Sequence, residues 1–107
     1  MKISVKKLRE KYPTPVISSD NESGYCVGGA LCLELYKMGN FPAYTFPAED
    51  ELLGALIVAN PNLPLDEAKE YTDLIIDLND DGKFKGAWKA LERALEYKKT
   101  LKENQNG

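Results

Sequence analysis

Residues 83–102, KFKGAWKALERALEYKKTLK, decide the fold class. Phe84, Trp88, Leu91, Leu95 and Leu101 are read along one face, the first four at three-and-four spacing, while lysines occupy the other, the pattern of an amphipathic helix packed on a core. The turn preceding it, Asn79-Asp80-Asp81-Gly82, separates it from a fourth helix that begins near Leu65 and places Ala68, Tyr71, Leu74, Ile75 and Leu78 at the same spacing. Before that, Asn60-Pro61 stops a third helix. Pro47 opens it, its first turn holds Glu49, Asp50 and Glu51 against the positive end of the helix dipole, and Leu52, Leu53, Leu56 and Ile57 form its stripe.

The second helix is read over residues 22–38, ESGYCVGGALCLELYKM. Ser19-Asp20-Asn21-Glu22 has the capping-box pattern, and Gly39 stands where a helix C-terminus wants glycine. Tyr25, Val27, Ala30, Leu31, Leu33, Leu35 and Tyr36 leave it apolar nearly all round, which puts it at the centre of the core. A short first helix starts after Ser4, carries Val5 and Leu8, and runs to about Lys11 before Pro13 and Pro15 end it. No stretch alternates apolar and polar residues long enough to require a sheet, although Val16-Ile17 or residues 43–46 can form a short extended pair. The expected architecture is all-α: one domain over residues 1–107, a compact bundle of four main helices plus a short N-terminal helix.

Composition agrees. Hydrophobic residues at 43% and charged residues at 29% are ordinary for a globular chain, and 107 residues can bury a modest core without disulfides or a metal. The first residues lack the continuous apolar stretch of a secretory signal, and the longest uncharged run, Leu52 to Leu65, falls short of the roughly 20 residues a membrane helix needs. Cys26 and Cys32, read within one helix, are separated by about 9 Å of rise and lie on different faces, so they do not bridge each other. Two unpaired thiols point to a reducing compartment, read as the cytoplasm, with an intermolecular bridge as the alternative.

Net charge is only −3, but it is unevenly spread. Residues 1–11 hold five bases against Glu10, residues 83–103 hold seven against three acids, and residues 12–82 hold Lys37 and Lys69 against thirteen acids. One reading packs the basic terminal helices beside the acidic middle with complementary charge; the other displays the middle as a docking face for a basic partner. The basic segments are short and carry no nucleic-acid-binding motif, which disfavours that role.

The chain has no histidine. Ser-His-Asp and Cys-His machinery and the common His-bearing zinc sites therefore cannot be assembled within it. Gly28-Gly29 lacks the strand and lysine of a phosphate loop, and no cofactor is indicated. Three local strings remain. Cys26, placed in the first turn of a helix, is a candidate thiolate if the dipole lowers its pKa, or else a small buried hydrophobe. Glu34 is the lone charge between Ser23 and Tyr36, so it either points out at an exposed edge, where Lys37 three residues on can pair with it, or is buried and paired as a functional carboxylate. Residues 77–82 begin like a calcium loop, with Asp77, Asn79 and Asp81 at the donor positions, but Trp88 stands where the bidentate glutamate belongs. The alternative is a plain turn in which Asp80 or Asp81 caps the last helix.

Tyr25-Cys26-Val27-Gly28-Gly29-Ala30, an aromatic-Cys-x-x-Gly-Ala string with a shifted glycine, and the later Asn79-Asp80 pair, read as opening the amphipathic C-terminal helix, together resemble a family of small bacterial helical domains of unknown function, over about residues 24–97. The resemblance implies that Cys26, Asn79 and Asp80 lie near one another, in one site or one structural joint. As a joint, Asn79 and Asp80 would satisfy backbone groups at a helix N-terminus. The functional expectation is a small non-enzymatic protein-interaction module, an adaptor or inhibitor, docking through its acidic middle or its aromatic loop 41–46. The candidate binding residues are Tyr25, Cys26, Glu34, Glu49, Asp50, Glu51, Asn79 and Asp80. The alternatives are a thiol-dependent enzyme or redox sensor at Cys26 and a divalent-ion site at Asp77–Asp81.

Overall fold

The computed structural model describes residues 3–17, 24–36, 44–45 and 47–98. In chain order the elements are α1 (Val5–Lys11), β1 (Gly24–Tyr25), α2 (Val27–Tyr36), β2 (Tyr44–Thr45), α3 (Glu49–Ala59), α4 (Leu65–Asp80) and α5 (Phe84–Glu96). The fold is an all-α bundle. Its strands are two residues each and pair in parallel, Gly24 with Tyr44 and Tyr25 with Thr45, so they act as a clasp between loops.

α2 sits at the centre. It touches the other four helices, and Val27, Ala30 and Leu31 are fully enclosed. Leu52 and Leu56 from α3, Ile75 from α4 and Leu91 from α5 close around it. α5 packs most extensively on α4, and α1 lies across α5 and α2. Burying side chains of this size is worth about 1.5–3 kcal/mol each, the main force holding the bundle.

The helix ends differ from the sequence expectation for identifiable reasons. α2 begins at Val27, not near Glu22, because Gly24 takes a φ of 113°, a backbone no helix accommodates. A Cβ at Gly24 would also meet Val16 Cγ2 at 2.9 Å. The Ser19–Glu22 string and Gly39 lie outside the described residues. α4 runs on to Asp80, so Asn79 and Asp80 close that helix rather than open the next. Gly82, at φ 76°, then donates to the Asn79 carbonyl while the Lys83 N–H donates to Leu78, the paired bonds of a Schellman stop. Consequently neither Asp80 nor Asp81 caps α5, whose N-cap is Lys83 with no side-chain bond.

α5 ends at Glu96, short of Lys102. Buried Asn60 reaches over and donates from Nδ2 to the carbonyls of Ala94 and Tyr97, both at 2.9 Å, which satisfies acceptors a continuing helix would have used. Leu101 lies outside the described residues. Within α4 the buried face is Ala68, Thr72, Ile75 and Asn79, and Leu74, expected in the core, is exposed. Thr72 enters the core because its hydroxyl donates to the Ala68 carbonyl at 2.7 Å, leaving only its methyl to pack.

Candidate functional site

Two places bring the candidate residues together. The first is the start of α2. The Val27 N–H donates to Asn79 Oδ1 at 2.9 Å, and Asn79 Nδ2 donates to the Val16 carbonyl at 3.1 Å. Cys26 occupies the N-cap position: its carbonyl accepts from Ala30, and its Sγ accepts the Gly29 N–H at 3.2 Å. Two amides at this helix start are thus satisfied, one by a side chain on another helix and one by sulfur.

Tyr25 braces the approach. Its phenol oxygen accepts the Thr14 N–H at 2.9 Å, its carbonyl accepts the Val16 N–H at 2.7 Å, and its ring meets Tyr12 edge to face at 5.4 Å. Cys26, Asn79 and Asp80 line one cavity of about 220 Å³, with Gly28, Leu52 and Ile76 supplying apolar wall. The three residues that the family resemblance links are therefore neighbours, in an arrangement whose hydrogen bonds hold loop, helix start and helix end together.

Thiolate chemistry is not favoured there. Burial pushes the Cys26 thiol above its ordinary value, against the pull of the Gly29 and Gly28 amides, and Asp80 adds to the rise. Burial likewise drives Cys32 up to about 12. A reactive cysteine requires the opposite shift. The ion reading also loses a donor: Asn79 Oδ1 is taken up by the Val27 N–H, and among the described residues no cluster of three acidic or thiol groups can hold a metal.

The second place is the outer face of α3 and α4. Glu49, Asp50, Glu51, Asp66, Glu70, Asp73, Asp77 and Asp80 are all exposed. On α4, Asp66, Glu70, Asp73, Asp77 and Asp80 follow at alternating four- and three-residue steps, which aligns them as one stripe on the side opposite the buried face. Glu49 joins the stripe at its middle. Asp73 beside it, by charge and then by a hydrogen bond between the side chains, holds the Glu49 carboxyl above the usual range, and Asp50 and Asp77 contribute.

Basic α5 does pack beside acidic α4, yet no ion pair joins them among the described residues. Among the described residues the one ion pair is Lys11 to Glu34 at 2.8 Å, which ties α1 to α2; the expected partner Lys37 lies outside the described residues. Glu51 has a second duty, since its Oε1 accepts the Ala48 N–H at 2.8 Å and so caps α3. The aromatic loop 41–46 is described only at Tyr44 and Thr45.

Sequence reasoning missed Asn60 and Val16, whose roles are long-range bonds with no local signature. It also missed the stripe, which the spacing of five acids on α4 does encode. Comparison with protein-family models, curated proteins and solved structures finds no match to this chain. Among the described residues no helix is long and apolar enough to cross a membrane.

Proposed function

We propose that this chain is a small non-enzymatic interaction module whose docking face is the acidic stripe of α4 together with Glu49. The observation that carries the reading is the geometry of the stripe: five exposed acids one helical turn apart on α4, with Glu49 beside Asp73, and none of them in an ion pair among the described residues. Like charges gathered on one face cost stability, and a cationic surface placed over them relieves that cost on binding. The reading extends to a cytoplasmic setting, which suits a chain whose two cysteines do not bridge each other.

The test is affinity capture from lysate of the source cells with the wild type beside a Glu49→Lys/Asp73→Lys/Asp77→Lys variant. Glu51 is left intact because it caps α3. A protein partner retained by the wild type and lost in the variant is the expected result. Equal recovery by both ends the proposal.

A further inference from the structure

A groove runs between α1 and α5 on a part of the surface distinct from the acidic stripe. Its walls are Lys6 and Arg9 on one side and Lys85 and Lys89 on the other, over a floor that includes Val5 and Trp88, and its volume is about 660 Å³. The two cations of each wall stand three or four residues apart, one helical turn, or about 5–6 Å between neighbouring Cβ atoms. The α4 stripe repeats at the same interval. None of these four cations forms an ion pair among the described residues.

We infer that the partner of the acidic stripe is a second copy of this chain, whose α1/α5 groove receives α4. The inference rests on the docking role assigned to the stripe above. Charge and spacing match along both walls. Glu10 and Glu92 also line the groove, and they favour a protein helix over a phosphate polymer. Exposed Lys69 flanks the acids of α4 and can answer those two carboxylates; a nucleic-acid backbone carries no cation to do so. Because groove and stripe are different surfaces, the contact is heterologous, and copies add head to tail.

The experiment is sedimentation velocity on the full chain across a concentration series, at about 0.01 M salt, where charges reach about 30 Å, and at 1 M, where they reach about 3 Å. The wild type is expected to gain mass with concentration at low salt and to lose that gain at high salt. Lys85→Glu/Lys89→Glu removes the groove and Asp73→Lys/Asp77→Lys removes the stripe; each is expected to stay monomeric. All four positions are exposed, and circular dichroism verifies that the variants fold. Combining the four changes in one chain leaves net charge as in the wild type while swapping the two surfaces, and self-association is expected to return.

A wild type that remains monomeric at low salt overturns the inference, as does association that survives either charge reversal or fails to return in the swapped chain. If the wild type stays monomeric while lysate capture still depends on Glu49, Asp73 and Asp77, self-association falls and the docking role of the stripe stands. If capture shows no such dependence and the wild type is monomeric, both fall.

Discussion

The Val27 amide and the Asn79 side chain meet at 2.9 Å across 52 residues of chain, so the last turn of α4 caps the first turn of α2. Asn79 is 2% exposed and uses its other end to hold the Val16 carbonyl. One amide therefore joins an N-terminal loop, the central helix and the end of α4.

Replacing Asn79 with alanine removes the cap and leaves the Val27 N–H and Val16 carbonyl without that partner. Loss of a cap and of a buried hydrogen bond together amounts to about 2–3 kcal/mol of stability. Urea unfolding followed by circular dichroism is expected to show this loss as a lower midpoint with an unchanged slope. A midpoint within error of the wild type's would mean that the joint contributes nothing.

The bundle was legible in the sequence wherever helices are amphipathic. Trp88, Leu91 and Leu95 fix α5, and Ala68 and Ile75 fix the inward face of α4, because an apolar stripe is a local property of period 3.6. The start of α2 was not legible. Its boundary depends on a positive φ at Gly24 and on a cap supplied from Asn79, and neither is visible within the helix's own residues. Glu34 is a similar case: its ion pair with Lys11 on α1, 23 residues away, is a contact that no local spacing rule encodes. At the candidate site the joint reading anticipated a residue that satisfies backbone groups at a helix N-terminus, and Asn79 does so at Val27. For Cys26 the sequence offered a thiolate or a small buried hydrophobe, and its sulfur instead accepts the Gly29 N–H.

Both thiols keep their protons longer in the folded state than in the unfolded one. Their contribution to stability is intact below the ordinary value of 9.0 and is lost as pH rises through the folded value, about 12 for Cys32. Stability is expected to fall over that window, less steeply in a Cys32→Ala variant than in the wild type. At neutral pH Cys26 is expected to react with iodoacetamide far more slowly in the folded chain than in urea. Equal rates would revive the thiolate reading.

Repulsion between Asp73 and Glu49 has its own pH signature. A carboxyl whose folded pKa is raised contributes stability below its ordinary value of 4.5, and loses it as pH rises through the higher folded value. Asp73→Asn is therefore expected to raise Tm at pH 7 and to give no gain at pH values below that window. Salt should shrink the gain, since both carboxylates face solvent. A lowered Tm at pH 7 would mean that Asp73 has a stabilising partner.

The central claim is that the acidic stripe touches another protein surface. The most direct measurement introduces a photo-crosslinking residue at Asp77, on the stripe, or at exposed Asn62, away from it, and irradiates cells of the source organism. A discrete protein adduct from position 77, absent from position 62 and abolished by Glu49→Lys/Asp73→Lys, is the predicted result. No adduct from position 77, or the same adducts from both positions, would contradict the assignment of this face as a docking site.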